Sequence, residues 1–397
     1  MPPSLSGYLD CSATTPVAEA VLQEMAAVQA SAWANPSSLH GYGLEAAEQL
    51  ERSRQQLAAL LGCQRGQVVF TSGGTESIHL ALLGAAAADA AAAAAPSPRL
   101  LISSVEHPAT LAAAEQLRRH GWQIARIPVD RSGVVDLHEL ERLLVGPTRL
   151  VSLIWGQSEV GTLQPIEAIG HLCRQAGVLL HLDAVQVVGR CPIRFDALPV
   201  DLLSLGVHKV EGPRGIGALL LAPGVTLQPS LGGGGQEGGL RAGTEPVALV
   251  AGMVKAVELA QNRLSAPAPD PLPLPLLRTA LLERLLQLPG LELTGPDPRL
   301  NAGPGRLPHH LSLVLRDPAG DWLNGRRLVQ ALWREGFACS SGSACSSGQA
   351  SPSAVLQAMG YGAAAAASGL RLSLGPWHDS TLLDTFPPAL ERARAAL

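Results

Sequence analysis

The sequence predicts an α/β fold: a large domain with a mostly parallel seven-stranded sheet covered by helices, and a smaller α+β C-terminal domain. Three observations predict it. Short apolar runs recur from about residue 45 to 222. Helix-length amphipathic stretches separate the earlier runs, and such alternation builds parallel sheets. The chain has 397 residues, too many for one ordinary core and enough for two domains.

In chain order the strand-like runs are QVVFTS, RLLISS, QIARIPV, RLVSLIW, VLLHLD, DLLSLGV and GALLLAP. Leu44–Leu61, Ala109–His120, Leu137–Leu144 and Ile166–Ala176 are amphipathic and lie between the earlier ones. The alanine-rich tract Ala85–Pro98 reads as a helix extension followed by a surface loop. Ser265–Leu276 is proline-rich, and proline there interrupts the helix leading into a second domain. That domain runs to Leu397 and holds LSLVL, a cysteine-bearing loop and RLSLG. The expected division is 15–262 for the large domain, with 1–14 and 263–397 forming the small one. No internal repeat is visible.

Composition narrows the function classes. Apolar residues make up 47% and charged residues 16%, which describes a globular chain. The net charge of −4 argues against nucleic acid as a partner. No run is long enough to span a membrane. MPPSLSGYLD has neither a basic nor an apolar leader segment, so no signal peptide is expected. The six cysteines show no CxxC pair and no zinc-type spacing, so no metal site is expected. Reduced thiols point to a cytoplasmic location.

The chemistry concentrates in HLDAVQ (His181–Gln186) and His208–Lys209. Both follow apolar runs, which places a carboxylate, an amide, an imidazole and an amine at the ends of neighbouring strands. That edge of an α/β sheet is where ligands bind. A lysine among apolar groups can form a Schiff base, and an aspartate can keep a pyridinium nitrogen protonated. Pyridoxal phosphate (PLP) requires both. TSGGTES (71–77) follows a strand and opens a helix, so Gly73, Gly74 and Thr75 offer N–H groups to a phosphate. Taken alone, TSGGTES is an ordinary N-cap turn. His107 can stack on a flat ring or shuttle protons, or simply cap the next helix. Asp183, Gln186 and Lys209 have plain surface or turn readings as well. SSGSACSSG (340–348) is a small-residue loop that would expose Cys345 as a nucleophile, while Cys339 reads as core. Arg371 on a strand suits bidentate capture of a carboxylate, with Asn35 assisting or merely turning the chain.

Assembled, these blocks resemble the cysteine desulfurases of the class V aminotransferase family, fold type I PLP enzymes. The resemblance covers YLDCSATTP (8–16), NPSSLHGYG (35–43), TSGGTES, EH (106–107), EVGTLQPI (159–166), HLDAVQ, HKVEGPRGIGAL (208–219), GGGQEGGLRAGTEP (233–246), SSGSAC (340–345) and RLSLG (371–375). It implies that Lys209 carries PLP, Asp183 pairs with its ring nitrogen, Gln186 contacts its ring hydroxyl, and His107 stacks on it. Gly74, Thr75 and His208 would hold the phosphate, Thr244 would reach the phosphate of a partner subunit in a homodimer, and Ser158 would lie at the ring hydroxyl. Arg371 and Asn35 would bind the carboxylate of L-cysteine. Cys345 would take the sulfur as a persulfide, leave alanine, and pass sulfur to acceptor or scaffold proteins.

The chain departs from the family pattern at several positions. Gln157 and Ser158 replace a pair of asparagines, Gly206 replaces a phosphate-binding serine, Ile78 and His79 follow TES, and Gly238 replaces an arginine. Each lost neutral hydrogen bond costs roughly 0.5–1.5 kcal/mol, so weaker cofactor binding is expected. The competing expectations are a related lyase or aminotransferase, or a weakened homologue acting in sulfur relay.

Overall fold

The computed structural model describes residues 5–89, 97–265, 272–300, 305–342 and 351–397. All seven apolar runs form strands of one sheet: β1 (Val68–Thr71), β2 (Arg99–Ser103), β3 (Gln123–Ile127), β4 (Thr148–Ile154), β5 (Leu179–Asp183), β6 (Leu202–Gly206) and β7 (Gly217–Leu221). Their spatial order is β1-β7-β6-β5-β4-β2-β3. Strands β3, β2, β4, β5 and β6 are mutually parallel, and β7 runs antiparallel to both its neighbours. The strands at the centre are buried on both faces, which is why they read as continuous apolar runs.

Helices α1 (Glu19–Ser31), α2 (Gly41–Leu61), α3 (Gly74–Ala88), α4 (Pro108–Arg119), α5 (Leu137–Leu144), α6 (Ile166–Gln175) and α7 (Val247–Ser265) cover the sheet. On one face Leu57, Phe70, Leu101, Val151, Leu180, Leu203 and Leu220 share a core with Val250 and Met253 of α7. On the other, Val69, Leu100, Ile102, Leu150, Leu202 and Leu219 pack against α3 and α4. The two sets alternate along each strand, as a period of two requires.

A second, antiparallel sheet contains β8 (Leu291–Leu293), β9 (His310–Leu315) and β10 (Gly369–Ser373) in the order β10-β9-β8. Around it lie α8 (Leu274–Leu285), α9 (Gly325–Arg334), α10 (Ala354–Ala358), α11 (Ala363–Ala367) and α12 (Thr381–Ala395). Its core is separate and includes Leu281, Leu313, Leu372 and Phe386. Leu9 belongs to it, because Tyr8 and Asp10 bridge to Ala338 and Ser373. The proline-rich stretch holds one surprise. α8 begins inside it at Leu274, with Pro275 in its first turn, where the missing N–H costs nothing. The alanine tract is helical to Ala88, and 90–96 lie outside the described residues.

The glycine-rich stretch 233–246 is pinned to β1 by one buried ion pair. Arg54 of α2 donates to both carboxylate oxygens of Glu237, at 2.7 and 2.8 Å, and Phe70 N–H donates to the same carboxylate at 2.8 Å. Glu237 takes a left-handed backbone (φ +53°), followed by Gly238 at φ +65°. Removing one partner of such a pair strands a buried charge. Glu237→Ala is expected to lower the unfolding free energy in urea by about 3–5 kcal/mol. A loss below about 1 kcal/mol would show the pair to be dispensable.

Candidate active site

The C-terminal ends of β1, β2, β4, β5 and β6 lie along one edge of the sheet, because β7 reverses direction between β6 and β1. Each end delivers a chemical group there. β5 ends on Asp183, and β6 is followed by His208 and Lys209. β2 leads into Glu106 and His107, and β1 leads into Gly73 and Gly74 at the start of α3. β10 of the small sheet contributes Arg371. A cavity of about 340 Å³ lies among them. Gly74, Thr75, His107, Ser158, Asp183, Gln186, His208, Lys209 and Arg371 are among the residues that line it.

The open start of α3 follows from backbone geometry. Gly73 caps α3 with φ +153° and offers no side-chain cap, so the first-turn N–H groups remain open. A Cβ on Gly74 would fall 2.5 Å from the Val185 side chain, so only glycine fits. A helix start of this kind receives anions. A Cβ on Gly206 would meet Gly74 N at 3.4 Å and Val185 at 3.6 Å, both ordinary contacts. The hydroxyl that the sequence lacks here would therefore have room. Ile78, another departure, lines the cavity.

Hydrogen bonds fix the segments that carry Asp183, Gln186, His208 and Lys209. Asp183 Oδ1 accepts from Val185 N–H at 3.0 Å. Gln186 Nε2 donates to the Ser12 carbonyl at 2.9 Å. The His208 carbonyl accepts from Thr15 N–H at 2.8 Å, and burial pushes its imidazole down to about 4. Arg190, buried, donates to the Lys209 carbonyl at 2.6 Å. His181, by contrast, is a core histidine. Ser152 and Ser204 hydroxyls flank its two ring nitrogens at 2.8 Å each, and burial pushes it down to about 3.

His107 satisfies both of its readings. Its Nδ1 accepts from Ala109 N–H at 3.1 Å, capping α4, and the ring still lines the cavity. Burial lowers its pKa, Asp183 opposes that, and Lys209 adds to it. The neutral ring therefore carries its proton on Nε2. Arg371 is buried, with Nη2 2.7 Å from Asp10 Oδ1 and Nη1 3.1 Å from the Ser158 carbonyl. Asn35 and Thr244 are exposed and do not line the cavity of this chain. Cys345 lies outside the described residues, but Ser340 does not: its backbone exchanges two hydrogen bonds with Arg371. Cys339 is core, and burial raises its thiol to about 12.

Three residues to which the sequence assigned no role in holding the site do hold it together. Asp10 sits in YLDCSATTP and pairs with Arg371. Gln157 donates to the Val105 carbonyl at 3.1 Å and accepts from Val160 N–H at 3.0 Å, so it organises the turn before EVGT. Glu106, the first residue of EH, is buried and accepts from Ser103 Oγ at 2.5 Å and Ile154 N–H at 2.9 Å. Its other oxygen has no partner. Asp10 and Glu106 lie inside the family-like motifs and Gln157 two residues before one, so nearness to a motif was the signal in the sequence.

The family pattern described as Aminotransferase class-V matches residues 7–386. The chain belongs to that family, whose members depend on PLP. Within it the chain is similar to cysteine desulfurases. One from Cereibacter sphaeroides is 39% identical, with 98% of this chain and 96% of the relative covered. One from Klebsiella pneumoniae is also 39% identical, covering 98% and 94%. Among solved structures, a NifS-like protein superposes with a TM-score of 0.87 at 33% identity, covering 98% and 99%. A structure described as SspA in complex with cysteine gives 0.78 at 30%, covering 94% and 99%.

Burial raises the Glu106 carboxyl to about 8, and its hydrogen bonds oppose the rise only in part. A glutamate in the unfolded chain ionises near the ordinary 4.5. Between these values the native state holds the proton and the unfolded chain does not, so stability falls as pH rises. Glu106→Gln removes this dependence. Its melting temperature is expected to decline less than that of the wild type from pH 5 to pH 8. Parallel pH profiles would show that Glu106 is ionised throughout.

Proposed function

We propose that this chain is a PLP-dependent cysteine desulfurase that converts L-cysteine to L-alanine and moves the sulfur to Cys345. The juxtaposition of Lys209, Asp183 and an open helix N-terminus around one cavity carries this reading. These groups fit PLP: an amine for its aldehyde, a carboxylate for its ring nitrogen, and uncapped N–H groups for its phosphate. Gln186, Ser158 and His208 line the same cavity, where the first two would contact the ring hydroxyl and His208 the phosphate. Bound PLP supplies an electron sink that acidifies the Cα proton of an amino acid and eases scission of its C–S bond.

The chain's own groups do the rest. Arg371 receives the substrate carboxylate, and Lys209 moves the Cα proton. His107, with its proton on Nε2, donates toward the leaving sulfur or the ring. The Cys345 thiolate attacks the substrate sulfur. An S–S bond forms as the C–S bond breaks, the carbon takes a proton, and alanine leaves. Ser340, five residues before Cys345 in the sequence, exchanges two backbone hydrogen bonds with Arg371. Sulfur is then passed to an acceptor or scaffold protein for iron–sulfur or thio-cofactor synthesis.

The same reading makes the protein a homodimer. Asn35 and Thr244 are exposed in one chain, and Trp33, Leu39, Tyr42 and Leu44 around Asn35 are exposed apolar residues. A second copy would cover them and receive Thr244 at its phosphate site. Separate hydrophobic cores support the division into 15–262 and 1–14 with 263–397.

With PLP, L-cysteine and an added dithiol that reduces the Cys345 persulfide, the wild type is expected to release sulfide and alanine in equal amounts, and Cys345→Ala and Lys209→Ala to release neither. Sulfide surviving in Cys345→Ala would make the protein a lyase. An inactive wild type that binds no PLP would favour the relay reading. Gly206→Ser is expected to tighten PLP binding by about threefold to tenfold in equilibrium dialysis, as one added hydrogen bond should. Unchanged affinity would mean that the phosphate lies elsewhere.

A further inference from the structure

Two adjacent histidines, His309 and His310, stand where β9 begins and have no part in the chemistry above. Both are fully buried, and in both Nδ1 has no hydrogen-bond partner. Burial, then the guanidiniums of Arg306 and Arg371, hold His310 well below the ordinary imidazole pKa. A neutral imidazole carries one N–H. His310 Nε2 lies 3.1 Å from the Ser158 carbonyl, which can only accept, so the proton is on Nε2 and Nδ1 is a bare lone pair. The ring is wedged in place. A Cβ on Gly161 would fall 2.7 Å from its Nδ1.

The Ser158 carbonyl serves a second donor. Arg371 Nη1 reaches it at 3.1 Å, while Nη2 is taken by Asp10 and Nε is unpartnered. Ser158 and Arg371 both line the cavity. His309 props the opposite side more loosely, with Nε2 3.3 Å from the hydroxyl of Ser12, whose carbonyl holds Gln186.

We propose that His310 is a positioning residue for amino-acid binding: its Nε2–H fixes the Ser158 carbonyl, and that carbonyl fixes how the Arg371 guanidinium faces the cavity. The inference rests on the reading that Arg371 receives the substrate carboxylate. Without the Nε2–H the carbonyl can rotate or leave Arg371 as its sole partner. The guanidinium then meets the carboxylate in the wrong orientation, which weakens binding without altering the Lys209 chemistry.

The test compares PLP-loaded wild type with His310→Gln, His310→Asn and His310→Ala. Glutamine can place an N–H where Nε2 stands, whereas asparagine places one near Nδ1. KM for L-cysteine, and the dissociation constant of L-alanine by calorimetry, are expected to rise about tenfold in His310→Asn and His310→Ala. His310→Gln should return both to within about threefold of wild type, with kcat and the visible absorbance of bound PLP little changed in all. Wild-type binding in His310→Asn, no rescue by His310→Gln, or a fall in kcat at constant KM overturns the proposal. Should the variants not fold, ¹⁵N-histidine spectra of the wild type decide. An Nε2-protonated His310 that shifts on adding L-alanine supports the role, and one that does not overturns it. A wild type that binds L-alanine but releases no sulfide ends the desulfurase reading, while the alanine titrations still decide this one.

Discussion

The buried guanidinium of Arg371 is the joint on which this site depends. It belongs to the small sheet, pairs with Asp10 of the N-terminal segment, and donates to Ser158 beyond β4 of the large sheet. Its backbone also holds Ser340, the stem of the cysteine-bearing stretch. A buried charge persists only if it is paired and hydrogen-bonded. Arg371 is therefore both a structural tie and the cationic end of the cavity. Anything that moves the small sheet relative to the large one moves the residue proposed to meet substrate.

Around that joint the protein manages protonation by burial. His107, His208, His181, His309 and His310 are all held neutral chiefly by loss of water, and each has a nearby hydrogen-bond partner. Glu106 is pushed the opposite way for the same reason. The result is a site whose donors and acceptors have fixed roles near neutral pH. Preorganisation of this kind lets a polar site act without first reorganising itself.

The departures from the family pattern are local and lie where the fold tolerates them. Gln157 is a firm part of its turn through three hydrogen bonds, so the amide has a structural role in this chain. Gly206 leaves space without disturbing its neighbours. Gly238, at φ +65°, follows a glutamate that is itself left-handed, and glycine suits that turn. The cavity keeps its lysine, aspartate, histidines and arginine through all of these changes.

The sequence by itself determined the seven strands, their helical cover and most of the cavity lining. Apolar runs and 3.6-residue periodicity are local signals, and a strand followed by a polar motif places that motif at the sheet edge. Lys209, Asp183, His107 and Gly74 were legible for that reason. Tertiary structure alone decided that β7 runs antiparallel, that Leu9 packs with the C-terminal core, and that Asp10, Arg190 and His310 support the site. Each of these joins residues far apart in the chain, where no spacing rule operates. It also decided that Asn35 and Thr244 lie away from their own chain's cavity. Contacts of that range are set by how two cores pack together, and a linear pattern carries no record of that packing.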